Sequence, residues 1–133
     1  MDGYIDILRG GGFYCNDSDR QAWINTGSGW EEDDSWELPT SNLCFLSYDD
    51  NGVRLFDVNG DGLTDVVKGD GYSCSDRRST WLNTGSGWEE DEEWMLPEMV
   101  CFTHGFSGDD RGVRLVDLNA DGLLDIVRAE GTV

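Results

Sequence analysis

Asp57-Val-Asn-Gly-Asp-Gly-Leu-Thr-Asp65 decides how this chain reads, and it is written a second time as Asp117-Leu-Asn-Ala-Asp-Gly-Leu-Leu-Asp125. Each copy puts an oxygen-bearing side chain at loop positions 1, 3, 5 and 9 and a glycine at position 6. A hard cation requires that pattern. Calcium takes six to eight oxygens at about 2.3–2.6 Å, and alternate residues of a tight loop can turn inward around one centre. Gly62 and Gly122 permit the sharp turn that brings the chain back toward its ninth residue. The candidate ligands are Asp57, Asn59, Asp61 and Asp65 with the main-chain carbonyl of Leu63, and Asp117, Asn119, Asp121 and Asp125 with that of Leu123. The expectation is about two calcium ions per chain, one in each loop. Asp and Asn also favour turns without any metal. The same ligand spacing in two copies weighs for the ion, and a loop filled by side-chain oxygens weighs for a structural rather than a catalytic one.

The flanks exclude the helical calcium loop. An EF-hand needs a bidentate Glu at position 12 and a helix on either side, whereas position 12 is Lys68 in one copy and Arg128 in the other. Gly52-Val-Arg-Leu-Phe56 precedes the first loop and Asp65-Val-Val-Lys68 closes it. Short β-branched and apolar runs read as strands, so the loop joins the two strands of a β-hairpin.

Outward from the loops, nearly the whole chain repeats. Asn25-Thr-Gly-Ser-Gly-Trp30 returns as Asn83-Thr-Gly-Ser-Gly-Trp88, Cys15 as Cys74, Cys44 as Cys101, and Leu38-Pro39 as Leu96-Pro97. The period is roughly 59 residues. Each repeat reads as four strands. The first is Gly52–Phe56 and the second, after the loop, Asp65–Lys68; the third is Ser79–Asn83, and the fourth runs from Trp88 toward Leu96-Pro97, where proline ends it. Thr84-Gly-Ser-Gly87 makes the turn between the third and fourth. A four-stranded antiparallel unit cannot bury both faces alone and must stack on others, as the blades of a β-propeller do.

Gly-Val-Arg-Leu-Phe-Asp-Val-Asn-Gly-Asp-Gly-Leu-Thr-Asp-Val-Val, followed by Trp-Leu-Asn-Thr-Gly-Ser-Gly-Trp, resembles the FG-GAP/VCBS repeats of integrin-like β-propellers. The resemblance implies calcium held by the ten residues named above. It covers two full repeats and the fragments flanking them. Residues 1–50 are expected to form a blade without its first strand, 51–110 a complete blade, and 111–133 the first half of another. The N-terminal loop keeps only Asp2, Tyr4 and Asp6 of the pattern and lacks its first two side-chain ligands. Propellers of this kind close with six to eight blades, and this chain holds about two. Exposed strand edges invite pairing with other chains. One expectation is therefore a piece of a longer propeller; the other is a cyclic homo-oligomer, a trimer of six blades before a tetramer of eight.

Composition limits the partners. The chain has 133 residues and a net charge of −19 from 28 acids, which argues against nucleic acid and against an anionic membrane. No apolar run approaches the length of a transmembrane helix. Met1 is followed by Asp2-Gly3, with no signal peptide, so an exported protein would be a mature form or an excised piece. Cys15 and Cys74 fall in the turn after the second strand, and Cys44 and Cys101 in the connection leaving the fourth. Both regions lie on one rim of a blade, so Cys15–Cys44 and Cys74–Cys101 can meet; four cysteines nonetheless allow three connectivities. Bridges together with calcium point to an extracellular, oxidising setting.

Little suggests catalysis. His104 is the only histidine, it has no counterpart in the other repeat, and no Ser or Cys partner is marked by a motif. Trp23/Trp81, Trp30/Trp88 and Trp36/Trp94 repeat, which favours packing between blades over ligand stacking. Arg54 and Arg114 sit inside first strands and are expected to pair with an acid between blades or near the axis. The reading is an all-β propeller segment that serves as a non-catalytic scaffold or binding module for protein or glycan. The alternatives are a lectin with sites between blades and a fragment of a polysaccharide-degrading enzyme.

Overall fold

The computed structural model describes residues 2–75, 77–105 and 107–131, and these are all-β apart from two single 3₁₀ turns, Asp17–Asp19 and Asp34–Trp36. Nine strands follow in chain order: β1 (Ile7–Gly10), β2 (Arg20–Asn25), β3 (Trp30–Glu32), β4 (Val53–Phe56), β5 (Asp65–Gly69), β6 (Arg78–Asn83), β7 (Trp88–Glu90), β8 (Val113–Val116) and β9 (Asp125–Arg128). They form three antiparallel sheets, ordered β1-β2-β3, β4-β5-β6-β7 and β8-β9. The register repeats with the sequence. Asn25 faces Trp30 across one hairpin and Asn83 faces Trp88 across the other. In both, the threonine N–H donates to the carbonyl of the second glycine at 2.9 Å. Ring closure is not seen among the described residues.

Period-two alternation explains how the middle sheet is covered. Val66 and Val67 are neighbours on β5 and point to opposite faces, yet both are fully buried. Val66 joins Leu38, Leu43 and Val53 in a layer against the first sheet, with Leu8, Phe45, Trp81 and Trp88 packed on it. Val67 joins Val58, Leu96, Phe102 and Val113 in a layer against the third. Polar links tie the first two sheets as well. The Trp88 indole N–H donates to the Trp36 carbonyl at 3.2 Å while the two rings meet edge-on, and the Lys68 ammonium donates to the Asn42 carbonyl at 2.6 Å. Four of the repeated tryptophans thus have a place: Trp36, Trp81 and Trp88 lie between sheets, whereas Trp30, the counterpart of Trp88, is exposed.

One element differs from the sequence reading. The fourth strand stops at Glu90 instead of running toward Leu96. Asp91 still donates to the Thr80 carbonyl, but the chain then turns; the Thr80 hydroxyl reaches across to the Trp94 carbonyl at 2.9 Å and pins the turn. The stop is shared by β3, which ends at the equivalent Glu32 with Ala22 where β6 has Thr80; in both copies the next aspartate, Asp33 or Asp91, accepts the N–H two residues on and turns the chain. At the N-terminus β1 begins at Ile7, one residue after Asp6, the counterpart of the Asp65 that opens β5; before it Asp2 accepts the Tyr4 N–H in a local turn.

Both cysteine pairs are joined, Cys15 to Cys44 and Cys74 to Cys101, with Cα atoms 5.8 and 5.4 Å apart. One bridge links the turn after β1 to the connection after β3, the other the turn after β5 to the connection after β7, and all four cysteines are buried. No helix among the described residues is long and apolar enough to cross a membrane.

Candidate metal centre

Each loop is wound on its own side chains. In the first, the two Asp57 carboxylate oxygens accept the N–H groups of Gly60 and Gly62 at 2.8 and 2.9 Å. Asn59 accepts the Asp61 N–H at 3.0 Å, and Asp61 accepts the Leu63 N–H at 2.8 Å. The Asn59 amide also donates to the second Asp61 oxygen at 3.0 Å, so these two side chains lie together. The second loop repeats this. Asp117 accepts from Asp121 and Gly122 at 3.1 and 2.8 Å, Asn119 and Asp121 are joined at 2.9 Å, and Asp121 accepts from Leu123 at 2.8 Å. Gly62 and Gly122 have φ of 88° and 89°, and at Gly122 the space where a Cβ would stand is open, so the turn itself favours glycine there.

The ninth residue does something the spacing does not announce. Asp65 is fully buried, and its two oxygens divide between elements: one accepts the Val58 N–H at the start of the loop, the other the Asn83 N–H at the end of β6, both at 2.9 Å. Asn83 in turn uses its side chain to accept the Gly85 N–H of the hairpin at 2.8 Å. Asp65 therefore couples the two repeated motifs, the acidic loop and the Asn-Thr-Gly-Ser-Gly turn. Asp6 makes the same bond to the Asn25 N–H at 2.9 Å, and Asp125 makes the loop half, to Leu118 at 2.9 Å.

The donor chemistry suits a hard cation: carboxylates, an amide oxygen and main-chain carbonyls, with no sulfur or imidazole in either loop. Burial pushes the Asp65 carboxyl above its usual range; its two amide donors oppose the shift, and the charges of Asp61 and Asp57 add to it. None of the three has a basic partner among the described ion pairs, so a cation there would relieve an uncompensated charge. The loops bring together Asp57, Asn59 and Asp61, and likewise Asp117, Asn119 and Asp121. They do not gather three acidic, histidine or cysteine side chains of the described residues about one point. Asp65 and Asp125 hold the loop from beneath, and the side chain of Leu63 is half-buried while that of Leu123 is exposed.

Next to each loop strand lies a feature the sequence carries but the reading missed. Asp50 grips Arg54 through two hydrogen bonds of 2.9 and 2.7 Å, and Asp110 grips Arg114 through two of 3.0 and 2.6 Å. The same carboxylates accept the N–H of Gly52 and Gly112 at 2.9 and 2.7 Å. The signal was Asp-x-Gly-Val-Arg in both repeats. The arginines thus pair with an acid of their own connection rather than with one across a blade. Arg54 also lies 5.4 Å from the Phe102 ring centroid and helps line a groove of about 370 Å³ with Phe56, Asp110 and Arg114.

His104 is half-buried and edge-on to Tyr72 at 4.7 Å. Ser107 stands 3.5 Å from the His104 ring nitrogen Nδ1, but its hydroxyl donates to Asp109 at 2.6 Å. A nucleophile needs the reverse order, with the acid behind the histidine and the hydroxyl in front of it.

No curated protein and no solved structure matches the chain. A model of the FG-GAP-like repeat matches residues 57–127, from the first side chain of one acidic loop to the strand that follows the other. With that match spanning more than half of its residues, the chain belongs to the FG-GAP-like repeat family.

Proposed function

We propose that this chain is a calcium-stabilised β-propeller segment of the integrin-like type, a non-catalytic scaffold or binding module for protein or glycan ligands outside the cell. One observation carries the reading. Two loops, a full repeat apart, present the same array of hard oxygens over the same supporting aspartate, and among the described ion pairs no basic side chain neutralises the first array. Calcium bound by Asp57, Asn59, Asp61 and Asp65, with the Leu63 carbonyl, and by the equivalent residues 117 to 125, would supply charge neutralisation and hold the hairpin shut. The two buried disulfides support an oxidising compartment. Apolar side chains left exposed on the outer sheets, Ile7, Val116 and Ile126, and beside them, Ile5 and Leu118, support contact with further blades, in a closed ring of partner copies a trimer.

Native mass spectrometry with calcium and with chelator tests both parts. The expected spectrum shows about two ions per chain, one fewer in Asp61→Ala and one fewer in Asp121→Ala, on a cyclic oligomer. A chain that takes up no calcium contradicts the metal reading, and a folded monomer at micromolar concentration contradicts the ring.

A further inference from the structure

Beside the Cys15–Cys44 bridge, three aromatic rings stand in water. Phe13, Tyr14 and Tyr48 are 55%, 74% and 69% exposed. Phe13 meets the other two edge-on, with ring centroids 4.5 and 4.4 Å apart. Rings that close leave no room for a ligand between them, so the cluster offers only its outer surface. Among the described residues nothing covers that surface, and exposed aromatic patches of this kind mark contact sites. Two residues after Tyr14, the same loop carries Asn16-Asp17-Ser18, the only Asn-x-Ser/Thr sequence in the chain. Asn16 and Ser18 are both exposed. The loop is held in place: Asp19 accepts the Asn16 N–H at 3.1 Å, and the Asp19 N–H returns to the Asn16 carbonyl at 2.9 Å.

We propose that Asn16 carries an N-linked glycan whose first sugars lie against this aromatic patch; the proposal rests on the reading that the chain is exported. An exposed Asn-x-Ser in a surface turn is the acceptor chemistry for that modification. The Cα atoms of Tyr14 and Asn16 are at most about 7 Å apart, within reach of a sugar attached to the Asn16 amide. A pyranose ring has an apolar C–H face that suits an aromatic ring, and two of the three rings add a phenol that can hydrogen-bond its hydroxyls. Asp17, Asp19 and Asp49 flank the patch in sequence, and with the overall charge of −19 they favour a neutral occupant. The second blade gives the contrast. There Ser75 replaces the asparagine, and the aromatic side chain of the turn, Tyr72, meets His104 instead. Asn42-Leu-Cys44 lacks the hydroxyl, its cysteine being buried in the disulfide, and serves as an internal control.

The test is secretion of the chain, behind a cleavable export signal, from a eukaryotic cell. The expected product carries one glycan, located at Asn16 by conversion to aspartate with peptide N-glycosidase in ¹⁸O-water. It is lost in Asn16→Gln and in Ser18→Ala, and Asn42 stays bare. Removing the glycan by Ser18→Ala lowers the melting temperature by about 3 °C in the native background and by less in Tyr14→Ala. A secreted, disulfide-bonded chain with bare Asn16 overturns the proposal and leaves the export reading standing. A chain that reaches the medium with free thiols, or never reaches it, takes down export and glycan together. An equal change in both backgrounds overturns the contact with the rings.

Discussion

Asp65 and Asp125 share a loop position but not the same work. Asp65 is fully buried and satisfies two backbone N–H groups in different elements, whereas Asp125 is half-buried and satisfies one. Leaving buried donors without an acceptor costs about 1–3 kcal/mol each. Asp65→Ala should therefore destabilise by about 3 kcal/mol and Asp125→Ala by about 1 kcal/mol, read from urea unfolding in chelator so that metal loss does not contribute. A second contrast lies at loop position 4. Gly60 has φ 75°, while Ala120 is held at 62°, where a Cβ is strained. Ala120→Gly relieves that strain but loosens the unfolded chain, so a net gain of about 0.5 kcal/mol is expected; a loss would show that the alanine is not strained. The row of oxygen-bearing side chains and the glycine turn were legible in sequence because spacing alone defines them. The supporting role of Asp65 was not, since its partner Asn83 lies on another strand and only the register brings the two together.

At the scale of the element, the Asp–Arg clasps decide how β4 and β8 begin. Each holds a glycine N–H and an arginine on the same carboxylate, and Gly112 is closed in: a Cβ there would come within 2.0 Å of the Ala129 carbonyl oxygen. The Arg114 guanidinium, through its hydrogen bonds, holds the Asp110 carboxyl down to about 2. Asp50 is likewise held below its usual range, first by Arg54. A carboxyl depressed in the folded state contributes stability above its unfolded value of about 3.9 and loses it as pH falls through the folded value. The loss for Asp110 should thus develop between about pH 4 and pH 2, and acid unfolding of Asp110→Asn should be flatter there. Because that pair is exposed, added salt should blunt the difference; an unchanged acid limb would show that the clasp contributes nothing. Strands with β-branched runs were readable from their pattern. The early stop of β7 was not, because Asp91, which turns the chain by accepting the Glu93 N–H, sits inside a run of five acids that carries no pattern to mark it.

For the whole molecule, two apolar layers join three sheets, and each of the first two sheets is pinned by a bridge between residues 29 or 27 apart. Closing loops of that length stabilises by about 3.5 kcal/mol each on the chain-entropy model. Replacing Cys74 and Cys101 together by alanine should lower the unfolding free energy by about that much, and no change in the denaturant midpoint would show that the bridge is dispensable. Repetition made the sheets readable, since each motif recurs in the same order. What covers the outer sheets was not readable, because it depends on surfaces beyond these strands. Calcium remains the claim on which the account turns. A ligand that binds only the folded state stabilises it by about 2.7 kcal/mol per site at a hundredfold excess over its dissociation constant. The most direct measurement is calorimetric melting of the chain in calcium and in chelator, beside the double variant Asp61→Ala/Asp121→Ala. With calcium in both loops, the native chain melts several degrees higher in calcium than in chelator, and the variant shows no calcium response. Identical melting of the native chain in calcium and in chelator would contradict the claim.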